Sequence, residues 1–188
     1  MDYINTNLGF YDNKIVVEDT GSDWNGFEVM MDWEHPMMSA SAAYVTQNGG
    51  DILEIGFGMG ISAGYMHSHS IDSHIIVENH PQIIPKAVEW ANDKSNVTII
   101  SQSWYDVKDS LGTFDGIFYD TFADESDQFS SSLSTWTKSG TKVTFWNNNQ
   151  NESNQLNIPN CTYELIDVNP SENDYFYSTT YYLPMKEF

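Results

Sequence analysis

The 188-residue chain is predicted to fold as an α/β protein, a mainly parallel seven-stranded sheet with an antiparallel C-terminal strand and helices on both faces. Three observations carry this expectation. Short apolar runs alternate with helix-length segments from about residue 36 to residue 146, the pattern of repeated βαβ units. Gly, Pro, Asn and Asp bound most of these runs and mark where elements stop. The last two apolar runs are joined by a turn-rich connector rather than by a helix, so they read as an antiparallel pair.

Residues 1–26 mix polar and aromatic side chains without a clear period and read as an N-terminal arm or lid; residues 27–188 read as a single domain. Pro36, suited to a first helical turn, opens a helix to about residue 47, which Gly49-Gly50 ends. Strand 51–55 follows, then a helix from Ile61 to about His69 and a strand over 74–78. His80-Pro81 opens a helix to about Lys94, before strand 97–100 and a short helix over 103–111. Strand 114–119, a helix over 127–138 and strand 141–146 complete the alternation. The closing strands are expected at 161–168 and 175–183, on either side of Asn169-Pro170-Ser171-Glu172-Asn173-Asp174.

Composition bounds the partners. A formal net charge of −20 repels phosphate backbones and anionic head groups, so neither nucleic acid nor a membrane surface is expected as a partner. A small cationic substrate is electrostatically favoured. Every basic residue other than histidine is Lys, and without Arg the chain lacks the bidentate fork that usually grips carboxylates and phosphates. Cys161 is the single cysteine, which excludes an internal disulfide and a thiolate cluster. With no apolar run of spanning length and no leader pattern at Met1, the expected location is cytoplasmic, as a monomer or homodimer.

The chemistry concentrates at strand ends. Glu54 closes the first buried strand, and Gly56, Gly58 and Gly60 follow with Phe57 and Met59 between them. Glycines at this spacing let the backbone approach a ligand, with the next helix N-terminus behind it. A dinucleotide fingerprint needs a further glycine at position 61, where Ile61 stands, and the resulting G-x-G-x-G favours S-adenosylmethionine over NAD. Glu78, at the end of the next apolar strand, is placed to accept hydrogen bonds from ribose hydroxyls. Trp104 sits just past the third strand, where an indole could meet an adenine. Asp120 ends the fourth strand, and Glu34 approaches from the N-terminal side; paired carboxylates suit a planar guanidinium.

Taken in order, these motifs resemble guanidinoacetate N-methyltransferases. Val29-Met30-Met31-Asp32-Trp33-Glu34-His35-Pro36 is similar to the family's entry motif, Leu53 to Met59 to its cofactor loop, and Phe114 to Thr121 to its catalytic strand. Weaker similarity includes Gln128-Phe129, Val143 to Asn147 and Tyr181-Tyr182. The resemblance implies a Rossmann-like class I methyltransferase fold that uses S-adenosylmethionine and releases S-adenosylhomocysteine. It implies that Met30, Met38, Phe57 to Ser62 (with Met59, Gly60 and Ile61), Glu78, Asn79, His80, Trp104 and Tyr105 surround the cofactor. Glu34 and Asp120 would hold and deprotonate the guanidino group of a substrate such as guanidinoacetate, giving creatine. Asn148 and Asn149 match the positions whose backbone faces the substrate carboxylate in that family, although the local sequence departs from it. Related arginine methyltransferases share the entry and loop motifs, so an arginine acceptor stays open, as does a non-catalytic cofactor-binding protein. A metal-dependent alternative would use Asp120, Asp124 and Asn147 on Mg²⁺. The histidines His67, His69 and His74, with Asp72 among them, read as a surface cluster, and no metal is expected.

Overall fold

The computed structural model describes residues 3–123 and 128–188. Its first three strands, β1 (Leu8–Phe10), β2 (Lys14–Val17) and β3 (Glu28–Met31), form a small antiparallel sheet. The segment preceding residue 27 is therefore hydrogen-bonded into a hairpin, whose three- and four-residue strands are too short to show a period in sequence.

The main sheet comprises β4 (Asp51–Ile55), β5 (Ser73–Val77), β6 (Val97–Ile100), β7 (Phe114–Tyr119), β8 (Thr137–Phe145), β9 (Thr162–Asp167) and β10 (Thr180–Glu187). Their spatial order is β6-β5-β4-β7-β8-β10-β9. The first five are parallel, and β10 runs antiparallel to both β8 and β9. Among the described residues five α-helices accompany them: α1 (His35–Val45), which precedes β4, and α2 (Ile61–His67), α3 (Ile84–Ala91), α4 (Trp104–Val107) and α5 (Phe129–Trp136), which follow β4, β5, β6 and β7.

Alternating side chains of the central strands feed two cores. Ile52 and Phe118 pack with Met37, Met38, Ala42 and Val45 of α1, whereas Leu53, Ile55, Ile117 and Val143 pack with Trp104, Phe129, Leu133 and Trp136. That division puts helices on both faces and explains why the strands read as continuous apolar runs. A third core joins Leu8, Ile15 and Val17 of the small sheet to Phe57, Ile76, Ile83 and Ala87. The N-terminal hairpin thus rests on the glycine loop and α3.

Several boundaries differ from expectation for local reasons. The helix expected from His80 begins at Ile84, because the amides of Ile83 and Ile84 both donate to the His80 carbonyl in a turn, leaving Pro85 in the first helical turn. The helix expected over 103–111 is α4 followed by a 3-10 turn at Lys108–Ser110. Residue 127, expected to open α5, lies outside the described residues, and α5 stops at Trp136, where the indole donates to the Lys108 carbonyl. β8 then starts at Thr137 and carries a register break before Lys142, with Gly140 at φ 89°. The final strand starts at Thr180 rather than 175, because the Asn173 carboxamide ties residues 173–176 into a turn, accepting from Tyr175 N at 3.0 Å and Phe176 N at 2.7 Å. No described helix is long and apolar enough to cross a membrane.

Candidate active site

Strand order reverses between β4 and β7, which are neighbours in space although β5 and β6 intervene in the chain. Loops leaving the C-terminal ends of such a pair diverge and open a crevice. The Asp120 amide donates to the Ile55 carbonyl at 2.9 Å, drawing the two loops together. Gly56 makes that approach feasible: at φ +92°, a Cβ there would lie 1.8 Å from the Asp120 carbonyl oxygen.

The resulting cleft takes in about 630 Å³ of space, part of it open to solvent. Met30, Gly56, Phe57, Gly58, Ser62, Glu78, Asn79 and Trp104 line it from the expected set, together with Asp120. Tyr3, Val29, Ile55, Val77, Ile83, Gln102, Thr121 and Phe122 also line it and escaped the sequence reading. Ile55, Val77 and Thr121 adjoin motif residues and could have been found as strand-end neighbours; Tyr3 had no such signal. It reaches the cleft by packing its ring on His80 and Phe122, each at 4.8 Å between centroids.

The other expected cofactor residues stand behind the lining. Glu54 is fully buried; it accepts a hydrogen bond from Ser62 Oγ and lies 2.9 Å from His74 Nε2. Gly60 caps α2 in the left-handed region and Ile61 opens that helix. The Met59 amide faces Met30 Sδ at 3.2 Å, and Met38 is packed in the core of α1. His80 supports Glu78 through its amide, whereas Tyr105 is exposed.

Glu78 is the polar anchor of the cleft. Its Oε1 accepts from the amides of Asn79 and His80, each at 2.8 Å, and its Oε2 from Phe57 at 2.9 Å. Burial raises its pKa, while these amides pull against the rise. Apolar walls of Val77, Ile83 and Trp104 beside this carboxylate could hold a nucleoside, with the ribose at Glu78 and a flat base between the walls.

Glu34 and Asp120 supply a second polar centre. Glu34 ends a 3-10 turn leading into α1, and only 3% of it is exposed. Its Oε1 accepts from Met31 N at 2.8 Å and from the Tyr175 hydroxyl at 2.6 Å. Burial first, then the charge of Asp120, pushes the Glu34 carboxyl up to about 8; the bonds from Tyr175 and Met31 oppose the shift. Burial and the nearby Glu34 carboxylate likewise raise the Tyr175 phenol. Trp33 and Trp146 pack on Tyr175 at 5.7 and 5.9 Å, and Trp146 also meets Tyr181 at 5.6 Å. The centre is therefore acidic, aromatic and largely dry. Tyr175 was missed because its aromatic neighbours read as a strand.

Asn148 and Asn149 come soon after Trp146, and both backbone amides are engaged within their own loop. Asn148 N donates to Gln155 Oε1 at 3.0 Å, and Asn149 N to Asn147 Oδ1 at 3.3 Å. The Asn147 amide group also donates to the carbonyls of Ser153 and Tyr182, each at 3.0 Å, so both ends of that carboxamide are engaged. Asp124, the other residue of the Mg²⁺ alternative, lies outside the described residues. The expected surface cluster of histidines does not form: His74 lies on β5 and is fully buried, 2.9 Å from Glu54, His67 packs edge-on against Trp90 at 5.9 Å, and of the three only His69 is exposed. Among the described residues no group of three or more His, Cys, Asp or Glu side chains is arranged to hold a metal ion.

A glycine loop and strand-end acid at a sheet switch point, with a carboxylate pair beside them, define a protein of the class I methyltransferase fold. The family model for guanidinoacetate N-methyltransferase matches residues 11–143, and the chain belongs to that family. Curated relatives include protein arginine N-methyltransferase 2 of Kluyveromyces lactis, 36% identical over 133 residues, covering 65% of this chain and 31% of that protein. Its Aspergillus fumigatus counterpart is 37% identical over 129 residues, covering 65% and 29%. The chain therefore spans about three-tenths of the length of these relatives. Similar solved structures include a spermidine synthase from Thermotoga maritima (TM-score 0.64, 14% identity, 96% of this chain and 72% of that one). The N-methyltransferase NodS from Bradyrhizobium japonicum matches with a TM-score of 0.61 at 13% identity, covering 81% and 94%. At such identities these structures support the fold alone.

Proposed function

We propose that the chain is an S-adenosylmethionine-dependent N-methyltransferase whose acceptor is a guanidino group. The observation that carries this reading is the pairing of Glu34 and Asp120. Two carboxylates close enough for Asp120 to raise the Glu34 pKa, one of them buried, form a centre that favours a cation. A guanidinium satisfies both through parallel charge-assisted hydrogen bonds.

The cleft suits the donor. Gly56 and Gly58 let the loop that borders the cleft pack closely on its neighbours, since a Cβ at either would lie 1.8 Å from Asp120 O or 2.6 Å from Met30 Sδ. Glu78 would hold the ribose, Trp104 the base, and the 3-10 turn that precedes the N-terminal hairpin would border the cleft through Tyr3. S-adenosylmethionine, when bound, supplies a methyl carbon made electrophilic by its sulfonium.

The chain's own residues align and deprotonate. Glu34, steadied by Tyr175, orients the guanidinium so that one nitrogen faces the donor cleft, which Asp120 borders. With the donor bound, its methyl carbon would join that nitrogen and the carbon–sulfur electron pair would remain on the departing thioether, S-adenosylhomocysteine. Asp120 accepts the proton the nitrogen gives up, because a free guanidinium with a pKa above about 12 does not shed it unaided.

Mass spectrometry of products from purified protein, S-adenosylmethionine and a guanidine panel tests the reading. A gain of one methyl on at least one guanidine is expected. Donor binding with no methylated guanidine would leave a non-catalytic binding protein instead.

A further inference from the structure

We infer that this acceptor site selects a guanidinium whose remote end carries no carboxylate, that is, an uncharged or cationic tail. The inference rests on the guanidine reading above and deepens it. Four observations converge on it.

First, no arginine exists in the chain and its seven lysines are all committed away from the cleft. Lys14, Lys94, Lys108, Lys138 and Lys142 pair with Glu28, Asp93, Asp109, Asp115 and Glu187. Lys86 and Lys186 lie over the rings of Phe10 and Phe188. None of them lines the site, so a substrate carboxylate has no cationic side chain to meet there.

Second, the backbone amides of Asn148 and Asn149 in the loop after β8 already have partners. Gln155 bridges the loop with both ends of its carboxamide, Oε1 accepting from Asn148 N at 3.0 Å and Nε2 donating to the Trp146 carbonyl at 2.7 Å. Asn147, fully buried, takes the Asn149 amide, and the Asn149 side chain donates to Ser153 Oγ at 2.9 Å. Backbone N–H groups engaged in this way would have to break existing bonds to recognise an anion.

Third, the surroundings are acidic: Asp120 and Glu78 line the cleft, Asp120 is near enough to Glu34 for its charge to raise that carboxyl, and the whole chain carries a formal −20. In a short guanidino acid only one methylene separates the guanidino nitrogen from its carboxylate, which would therefore enter these surroundings with the guanidinium. Fourth, the walls beside Glu34 are aromatic faces of Trp33, Trp146 and Tyr175. Such faces attract cations and tolerate neutral tails.

The test is a matched series at low ionic strength with S-adenosylmethionine: guanidinoacetate, its neutral amide guanidinoacetamide, the cationic 4-guanidinobutylamine, and arginine blocked at both backbone ends. The amide is expected to exceed guanidinoacetate in kcat/KM by about tenfold or more, with the other two also ahead. Equal or better use of guanidinoacetate overturns the inference. Methylation of none of the four, with donor binding intact, overturns the guanidine reading and the selection built on it together. Gln155→Ala releases the Asn148 amide; the ratio of guanidinoacetate to guanidinoacetamide turnover is expected to rise several-fold. An unchanged ratio in a folded variant removes the loop from the explanation.

Discussion

The two halves of the site are built by different means. The donor cleft is drawn mostly from loops at neighbouring strand ends, and its shape depends on backbone: Gly56 and Gly58 at positive φ, and Glu78 clasped by the amides of Phe57, Asn79 and His80. The acceptor centre is assembled from distant segments, with Tyr175 reaching Glu34 across 141 positions, and it depends on burial and charge. A backbone-defined site should fail sterically, through loss of binding. A charge-defined site should fail chemically, with binding of the donor preserved.

The largest expected effect is Asp120→Asn, which keeps size and removes the proton acceptor. We expect kcat to fall by about 10²–10⁴ while calorimetry shows donor affinity within roughly twofold. A parallel collapse of donor binding would show that the halves are not separable. Gly56→Ala should break the other half. Its Cβ meets a backbone carbonyl that no rotamer change can move, at a φ that disfavours Ala, so donor affinity should fall by about 100-fold with a stability loss of roughly 1–3 kcal/mol. Gly58→Ala meets the flexible Met30 side chain instead, so adding Met30→Ala should recover part of its loss but none of the Gly56→Ala loss.

The same contrast governs what could be read in advance. β4, the glycine loop and Glu78 are short-range features, each legible from apolar runs, glycine spacing and a strand-end acid. Ile61, which departs from the dinucleotide fingerprint, stands where α2 begins. Tyr175 was hidden by the opposite circumstance: Tyr175-Phe176-Tyr177 has strand propensity, and only the long-range packing of Phe176 and the Asn173 turn hold it in a loop. The engagement of the Asn148 and Asn149 amides depends on the carboxamides of Gln155 and Asn147, seven and two positions away, whose orientation no local sequence pattern dictates. The N-terminal hairpin was illegible because β1 and β2 are short and bury side chains against the glycine loop rather than in a core of their own.

Glu34 gives the acceptor centre a pH signature. The fold raises its carboxyl from the ordinary glutamate range to about 8. The stability tied to its protonated form is therefore fully present below that ordinary range, declines as pH rises, and is lost once pH passes through about 8. Glu34→Gln keeps an acceptor oxygen for Met31 N and Tyr175 and cannot ionise. Its melting temperature should exceed wild type at about pH 9 by roughly 4–8 °C, for about 2 kcal/mol, and match it near about pH 4. A wild-type advantage at high pH would overturn the burial argument. Tyr175→Phe should act in a related direction but more weakly. Removing its bond raises the Glu34 carboxyl further, moves the acid limb of kcat/KM upward and lowers its plateau about tenfold, with donor affinity unchanged.

The smallest effect separates two adjacent aromatics. Trp104 is buried, lines the cleft and packs edge-on against Tyr119 and Trp136 at 5.8 and 5.9 Å. Tyr105, next in the chain, is 40% exposed, with Lys108 Nζ 4.8 Å from its ring centroid. Successive helical residues point about 100° apart, so α4 can aim only one of them at the donor. Trp104→Ala should cost about 3–5 kcal/mol of stability, which confounds any reading of its affinity. Trp104→Phe retains most of the packing and isolates the contact with the base. Tyr105→Ala should change donor affinity by less than about twofold, within roughly 0.4 kcal/mol. If calorimetry instead shows Tyr105→Ala weakening the donor more than Trp104→Phe, the base lies outside the cleft wall assigned to it, and the donor half extends onto the surface of α4.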